Sequence, residues 1–180
     1  MEMTGERQIA ASRDDVWAAL NNPDVLKQCI PGCESLEMLS PTDMTARVKL
    51  QIGPVKANFT GKVKLSDLDP PNGYRISGEG SGGVAGHAKG GAIVRLMEDN
   101  AGTLMRYEVK ADVGGKLAQL GGRLIDATAK RLADEFFEKF SAVVGGPAAQ
   151  QSAPPPPSSP KKEGWFRRLF RKKKQAASPT

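Results

Sequence analysis

The sequence is poor in the side chains that most catalytic and metal sites use. Its 180 residues include one histidine, His87, and two cysteines, Cys29 and Cys33. A single histidine excludes a multi-histidine metal site built from this chain alone, and we do not expect His87 to act as a general acid or base. Two cysteines separated by Ile-Pro-Gly are too few to complete a zinc site or to staple a domain of this size. We therefore expect two reduced thiols and no metal.

The sequence also lacks a long apolar run and an apolar N-terminus. Residues 1–6 lack the positively charged and hydrophobic stretches with which a signal peptide begins. No apolar segment approaches the length of a membrane-spanning helix. We therefore expect a cytoplasmic protein without a signal peptide. The acidic residues fall at turns, at polar strand positions or beside cations on the last helix. Because no paired-acid site emerges, we predict that the protein is not an enzyme.

Positive charge is concentrated near the C-terminus. From Gly145 onward the sequence has eight Lys and Arg and one acid, a net +7, so the chain total of +6 leaves residues 1–144 at −1. The intervening residues 145–160 are rich in Pro, Ser, Ala and Gln, which predicts a disordered, semi-rigid linker. We predict four parts: a ligand-binding domain at 1–144, the linker at 145–160, a basic segment at 161–174 and a disordered end at 175–180.

The basic segment is predicted to be a short amphipathic helix that binds the anionic inner face of the cytoplasmic membrane. Its four large apolar side chains fall on one side of a helix. Burying each contributes about 1.5 to 3 kcal/mol, and each cation beside anionic lipid adds about 1 kcal/mol. A protein partner is the main alternative, whereas the aromatic side chains disfavour nucleic acid. The predicted membrane-binding residues are Lys161, Lys162, Trp165, Phe166, Arg167, Arg168, Leu169, Phe170, Arg171, Lys172, Lys173 and Lys174.

The first part of the domain predicts one strand and two helices. Glu6 to Ala11 alternates as a strand, and Ser12 followed by Asp15 is an acidic form of the capping box. Asn22-Pro23 begins a second short helix, which Pro31-Gly32 ends. Two helices therefore follow the first strand.

The remainder of the domain predicts a sheet and then a long helix. From Ser35 to Val113 apolar residues alternate with polar ones, and turn residues divide this stretch into an antiparallel meander. After Gly114-Gly115 a helical pattern continues to Val144 and contains Gly121-Gly122. This order predicts an α+β, START-like helix-grip fold, in which a curved antiparallel sheet wraps around a long C-terminal helix and leaves a cavity between them.

Two glycine clusters have functional and structural interpretations. Gly78, Gly80 and Gly83 fit G-x-G-x-x-G, but no helix follows them, so we do not expect a dinucleotide site. Either these glycines thin a ligand-facing wall or entrance, or they allow a sharply coiled sheet or a mobile hairpin. Gly121-Gly122 within the last helix either admits a ligand or a helix movement, or packs closely against a strand.

Several motifs of the domain are shared with one protein family. They are Cys29-Ile30-Pro31-Gly32-Cys33-Glu34, Gly53-Pro54-Val55-Lys56-Ala57, Leu65-Ser66-Asp67-Leu68-Asp69-Pro70-Pro71, the glycine-rich residues 78–91, and Val113-Gly114-Gly115-Lys116-Leu117-Ala118-Gln119-Leu120-Gly121. Together they make residues 1–144 resemble the CoxG family of carbon monoxide dehydrogenase subunits, which belongs to the START-like SRPBCC superfamily.

The resemblance implies a non-catalytic accessory protein of molybdenum-containing carbon monoxide dehydrogenases or related molybdenum hydroxylases, associated with the cytoplasmic membrane. It also implies a lipophilic ligand, with a respiratory quinone, menaquinone or ubiquinone, as the leading candidate. Two alternatives stay open: a membrane tether or assembly factor with a filled core, and a START-like cyclase or dehydratase. Such an enzyme needs acid and base groups that converge in the cavity.

Strand alternation and the helix face predict the residues that line the cavity. Tyr107 is able to hydrogen-bond a quinone carbonyl, and the alternative is a tyrosine packed in the core. We predict no catalytic residue in the cavity. The predicted lining residues are Phe59, Val63, Val94, Tyr107, Val109, Leu117, Leu120, Gly121 and Leu124.

Overall fold

The computed structural model describes residues 1–145. The segments with alternating hydrophobicity form seven strands, and those with helical spacing include three α-helices. The predicted basic segment and C-terminal end, with all but the first residue of the predicted linker, lie outside the described residues. The described elements are β1 (Glu2–Ile9), α1 (Arg13–Leu20), α2 (Pro23–Cys29), β2 (Cys33–Met38), β3 (Asp43–Ile52), β4 (Val55–Asp69), β5 (Gly73–Ser81), a 3₁₀ turn (Gly83–Ala85), β6 (His87–Asp99), β7 (Gly102–Gly114), a 3₁₀ segment (Gly115–Leu120) and α3 (Gly122–Val144).

The seven strands form one antiparallel sheet in the order β1-β7-β6-β5-β4-β3-β2. The sheet is curved and wraps around α3, so the predicted helix-grip architecture is confirmed. Because neighbouring strands alternate in direction, every second connection lies at the same end of the sheet. We call one end the hairpin end, made of residues 52–56, 81–87 and 114–124. The opposite end, which we call the far end, is made of residues 10–15, 39–43, 67–72 and 98–101.

The β3–β4 hairpin extends beyond its neighbours at the hairpin end. β4 pairs with β3 from Val55 onward, but it pairs with β5 only from Thr60 onward. Gly53 at the tip has a φ of 57°, and a Cβ built there would lie 2.7 Å from Leu124 Cδ2. Glycine therefore allows both the left-handed turn and the contact of the tip with the start of α3.

Side-chain caps begin the two short helices, as the sequence predicts. Ser12 Oγ accepts a hydrogen bond from the Asp15 backbone N–H at 3.2 Å. Asn22 Oδ1 accepts one from the Asp24 N–H at 2.9 Å, and Pro23 begins α2. These bonds satisfy N–H groups that have no partner within the helix. Both helices pack against α3, and α1 also contacts β6 and β7.

Two predicted boundaries are wrong. The first strand runs from Glu2 to Ile9 rather than from Glu6 to Ala11. The last helical pattern is two elements, because the 3₁₀ segment ends at Gly121, whose φ is 87°, and α3 begins only at Gly122. The apolar spacing runs across this break, which hides it in the sequence. A Cβ at Gly121 or Gly122 would meet no atom within 4 Å, so close packing against a strand is not their role.

The far-end half of the concave sheet face is closed by a packed core. The Tyr107 ring stacks on Phe137 with centroids 5.1 Å apart, and Arg7 on β1 makes an ion pair with Asp134 on α3. The Arg7 guanidinium also lies over the Phe137 ring. These contacts hold the second half of α3 against the sheet. The buried residues of this packed half are Ile9, Val16, Leu20, Tyr74, Val94, Leu96, Met105, Tyr107, Phe137, Phe140 and Val144.

Candidate functional site: an apolar cavity under the first half of α3

The hairpin-end half of the concave face forms a partly open cavity of about 540 Å³. The cavity lies between the first half of α3 and strands β3 to β7, and the loop after α2 forms part of its wall. All of its lining residues except Leu117 and Thr128 are half-buried rather than buried. They are Ile30, Pro31, Ala46, Val48, Leu50, Ile52, Phe59, Gly61, Val63, Gly80, Ala88, Val113, Leu117, Ile125, Thr128, Ala129, Leu132, Ala133 and Phe136.

A row of small side chains crosses the sheet along one wall of the cavity. Ala46, Gly61, Gly80, Ala88 and Val113 are direct neighbours on five successive strands, β3 to β7. All five residues line the cavity. Because none carries a side chain larger than valine, this part of the sheet cannot fill the space beneath α3.

Side-chain size on the concave face increases toward the far end after one more row of small residues on β4 to β7, made of Val63, Gly78, Gly90 and Ala111. The next row on the same strands places Leu65, Ile76, Ala92 and Val109 side by side. The row after that places Tyr74, Val94 and Tyr107 side by side. The packed half begins where the large side chains begin. The cavity is therefore a consequence of graded side-chain size along the strands.

The glycines of the β5–β6 region have two different roles. A Cβ at Gly80 would lie 3.8 Å from the nearest atom, Thr60 O, which is an ordinary contact, so a larger residue has space there. A Cβ at Gly90 would instead collide with the Lys110 backbone on β7. Gly80 thus leaves the cavity wall thin, whereas Gly90 is needed for close approach of two strands.

One stripe of α3 forms the opposite wall. Its members follow the spacing i, i+3, i+4, i+7, i+8, i+11, which places them on one side of an α-helix. Ala129 and Ala133 in the middle of this stripe are small, which leaves space between the helix and the sheet. The stripe consists of Ile125, Thr128, Ala129, Leu132, Ala133 and Phe136.

The cavity has almost no polar chemistry. Thr128 is the one residue with a polar side chain among the described residues that line it. Its hydroxyl donates a hydrogen bond to the Leu124 carbonyl at 2.8 Å, as is common for threonine inside a helix. No ionisable side chain is among those lining residues. The arrangement can bury an apolar molecule, but it offers no acid or base for proton transfer.

The Cys-Ile-Pro-Gly-Cys motif forms a corner of the cavity. Ile30 and Pro31 line it, whereas Cys29 points into the packed core and is fully buried. Gly32 has a φ of 71°, and its carbonyl accepts a hydrogen bond from the Lys49 N–H at 2.9 Å, which fixes this corner on β3. Both cysteines are free, and burial raises the pKa of the Cys29 and Cys33 thiols.

The structure distributes the nine predicted lining residues over three places. Phe59, Val63 and Leu117 line the cavity. Val94 and Tyr107 lie in the packed half instead, and Val109 packs against that core. Leu120, Gly121 and Leu124 lie at the hairpin end, beside the cavity rather than on its wall. The alternation identified the inward face, but the division between packed and hollow halves depends on neighbours from other strands.

Sequence reasoning missed most of the cavity wall. Small residues such as Gly61, Ala88 and Ala129 carry no hydrophobic signal of their own. Pairing the predicted strands in register could have revealed the row, since its members are ordinary inward positions of consecutive strands. Ile30 and Pro31 lie within a motif noted for family resemblance, yet neither was predicted to line the cavity.

Other features of the described residues bear on function. No group of three or more His, Cys, Asp or Glu residues in residues 1–145 is placed to hold a metal ion. His87 is exposed at the start of β6. No α-helix in this part of the chain is long and apolar enough to cross a bilayer. A second hollow of about 570 Å³ near the far end has charged walls, where Arg13 pairs with Glu98 and Arg75 with Asp67.

Comparison with solved structures places this fold among known proteins. A conserved protein from Geobacillus kaustophilus is 30% identical, with a TM-score of 0.76 over 80% of this chain and 95% of that one. A protein from Thermus thermophilus is 15% identical, with a TM-score of 0.61 over 80% of this chain and 97% of that one. The ZhuI aromatase/cyclase from Streptomyces sp. R1128 is 16% identical, with a TM-score of 0.54 over 80% of this chain and 93% of that one. The last two similarities concern the fold alone.

Sequence comparison identifies the family. No curated protein sequence matches the chain significantly. The family model for CoxG, a subunit of carbon monoxide dehydrogenase, matches residues 5–145, which span the whole described domain apart from its first four residues. The motifs noted in the sequence, the helix-grip fold and this match agree, and the chain belongs to the CoxG family.

Proposed function

We propose that this chain is a non-catalytic accessory protein that carries a lipophilic molecule, a respiratory quinone, in the cavity under α3. With its basic C-terminal segment it holds a molybdenum-containing carbon monoxide dehydrogenase at the inner face of the cytoplasmic membrane. The single observation that carries the ligand part is the apolar lining of a cavity of about 540 Å³. This volume lies within the range of about 300 to 1,000 Å³ typical of small-molecule sites.

The lining chemistry supports a ligand that is mostly hydrocarbon. A quinone has an apolar ring and an isoprenoid chain, and its carbonyl oxygens accept hydrogen bonds. The Thr128 hydroxyl is the one side-chain donor among the described lining residues, and it bonds to the Leu124 carbonyl. Turning it toward a quinone carbonyl exchanges one hydrogen bond for another, so the exchange costs little. Shape and apolar burial supply most of the affinity.

A cyclase or dehydratase has less support. The Streptomyces neighbour is an aromatase/cyclase, so this fold is able to hold an active site. Catalysis of that kind needs an acid or a base within reach of the substrate. The described wall of this cavity offers one threonine hydroxyl and no ionisable group.

The membrane and dehydrogenase parts rest on different grounds. The family is named as a subunit of carbon monoxide dehydrogenase, which supports that enzyme as the partner. The net +7 of the C-terminal residues, together with Trp165, Phe166, Leu169 and Phe170, supports attachment to an anionic surface. Residues 1–144 carry a net charge of −1, so we assign most of the general attraction to the C-terminal segment.

The test of the ligand is mass spectrometry of lipophilic molecules extracted from the full chain after expression in a quinone-producing host. We expect near-stoichiometric quinone in the native chain. The double variant Gly80→Leu/Ala129→Leu, which fills the cavity from both walls, should lose it. The matched control Ser81→Leu/Ala142→Leu adds the same side chains at exposed positions of the same strand and helix, and it should retain the ligand. A folded native chain that carries no lipophile would refute the carrier role and favour a tether.

The membrane role is tested by flotation with vesicles that contain phosphatidylglycerol. We expect recovery of the full chain and loss of recovery for a chain that ends at Gly145, with folding of both checked by circular dichroism. Purified dehydrogenase should float only when the full chain is present. Equal recovery of the two chains would contradict attachment through the C-terminal segment, and dehydrogenase that never floats would contradict the partner.

A further inference from the structure

Charge is distributed unevenly between the two ends of the domain. The three segments of the hairpin end contain Lys56, Lys116 and Arg123, all exposed, and no Asp or Glu. The four segments of the far end contain one cation, Arg13, and seven acids: Asp14, Asp15, Asp43, Asp67, Asp69, Glu98 and Asp99. A body with almost no net charge therefore has one positive end and one negative end, and it will orient in the field of a charged surface.

The hairpin-end cations are available for a partner. None of the three takes part in an ion pair within the described domain. They come from three different elements, namely the start of β4, the 3₁₀ segment and the first turn of α3. The nearest acid on α3 is the exposed Asp126, three residues after Arg123 and one turn beyond the end surface. The end surface itself is thus positive.

The same end presents apolar surface beside these cations. Val84 in the 3₁₀ turn is 86% exposed, the highest value among the large exposed hydrophobic residues of the described domain. A Cβ at neighbouring Gly83 would meet no atom within 4 Å, so the turn projects freely. A single exposed valine is ordinary on a protein surface. The far end also has exposed apolar residues, Leu39 and Leu68. What distinguishes the hairpin end is that its exposed valine lies beside unpaired cations and no acid, a combination that suits a bilayer interface.

The cavity extends to this end. Ile52 is the last residue of β3, Leu117 belongs to the 3₁₀ segment, and Ile125 lies in the first turn of α3, and all three line the cavity. We propose that the hairpin end is a second membrane contact, which docks on an anionic lipid surface and turns the cavity toward the bilayer. The reason for turning the cavity toward the bilayer rests on the proposed carrier role. The docking surface itself rests on charge and exposure, which do not depend on a ligand.

The place where α3 ends gives the second contact a purpose. α3 has 23 residues, which corresponds to about 35 Å at 1.5 Å per residue. It ends at the far end, where Gly145 lies beside Ala10. Without a second contact, an anchor attached there would leave the orientation of the hairpin end relative to the bilayer undefined. Residues 146–160 reach at most about 50 Å when extended, so the chain is long enough for anchor and hairpin end to lie on one surface.

The experiment compares a fluorophore at the two ends of the full chain. In a Cys33→Ser background, Val84→Cys and, separately, Asn100→Cys in the exposed β6–β7 turn are labelled with an environment-sensitive maleimide dye. Cys29 is fully buried and stays unlabelled. With phosphatidylglycerol vesicles we expect a blue shift and quenching by nitroxide lipids for the label at position 84. The label at position 100 should show neither, although both proteins float with the vesicles.

Charge variants test whether the three hairpin-end cations cause the docking. Each of Lys56→Gln, Lys116→Gln and Arg123→Gln should lower the ratio of docked to undocked label roughly fivefold. The matched control Lys62→Gln/Lys89→Gln/Arg95→Gln removes the same net charge as the triple hairpin-end variant from exposed positions outside that end, and it should leave the ratio unchanged. The triple hairpin-end variant should still float, because the C-terminal segment holds it.

The outcomes separate this inference from the proposed function. Equal spectra for the two labels on floated protein would overturn the docking surface. A change at position 84 that requires added dehydrogenase and occurs equally on vesicles of neutral lipid would also overturn it, because the end would then be a protein interface. Ligand content is measured on the same samples. Bound quinone without docking refutes only the second contact, whereas docking without any ligand refutes only the carrier role.

Discussion

Replacing Ala129 by leucine should stabilise the protein when no ligand is bound. Ala129 lies in the middle of the α3 stripe and lines the cavity, so the added carbons enter the cavity rather than a packed core. At about 0.8 kcal/mol per buried methylene the gain has an upper bound near 2.4 kcal/mol. Immobilising the leucine offsets about 0.5 to 1 kcal/mol of this. We expect the free energy of unfolding to rise by about 1 to 2 kcal/mol.

The assay is urea unfolding of protein refolded without lipid, followed by circular dichroism at 25 °C. The control Ala142→Leu makes the same change at an exposed position of the same helix, and it should alter the free energy by less than about 0.5 kcal/mol. If the sheet and α3 were packed together in solution, the leucine would overpack the core and cost about 1 to 3 kcal/mol. A loss of stability for Ala129→Leu, with an unchanged control, would therefore refute the cavity.

Three further predictions concern other parts of the domain. Hydrogen bonds from the hydroxyls of Ser40 and Thr42 lower the pKa of Asp43. The ionised Asp43 carboxylate therefore stabilises the fold above its unfolded-state pKa near 3.9, and this stabilisation is lost as pH falls through the lower pKa of the folded state. The difference in unfolding free energy between the native chain and Asp43→Asn should shrink in urea titrations below about pH 4. A maleimide reagent at neutral pH should leave Cys29 unmodified in mass spectra until denaturant is added, because that thiol is buried and its pKa is raised; rapid native labelling would contradict the packed core. Gly53→Ala should lower the free energy of unfolding by about 1 to 2 kcal/mol for the left-handed backbone alone, and by more because the new Cβ meets α3. The control Gly83→Ala, at a φ of 62° with open space around it, should show only the backbone cost. Equal losses of stability in urea unfolding would mean that the hairpin tip does not contact α3.

Local patterns in the sequence were sufficient for the fold. The period-two alternation of β3, β4 and β7 and the caps at Ser12 and Asn22 are each set by neighbours within a few residues, so they are readable without tertiary information. The exceptions are the first strand, which begins at Glu2 rather than Glu6, and the break at Gly121. A 3₁₀ segment and an α-helix have similar periods, and the apolar spacing of Leu117, Leu120 and Leu124 continues across both.

The candidate site was only partly predictable. Phe59, Val63 and Leu117 were found because they are large, apolar and inward. Tyr107 met the same criteria, yet it stacks on Phe137 in the packed half. What separates the two groups is the size of the residues beside them on other strands. That property belongs to the register of five strands and not to any one stretch of sequence.

The overhang of the β3–β4 hairpin gives one sheet two levels of backbone stability. Residues 55–59 of β4 have a hydrogen-bonded neighbour on the β3 side only, because the ladder with β5 begins at Thr60. Opening this segment breaks one ladder and the contact of Gly53 with Leu124, while the rest of the sheet stays paired. Its amides should exchange with deuterium through small local openings, whereas those of β6 and β7 should exchange only on global unfolding. The cavity wall can therefore open on its own timescale without a change in the fold that supports it.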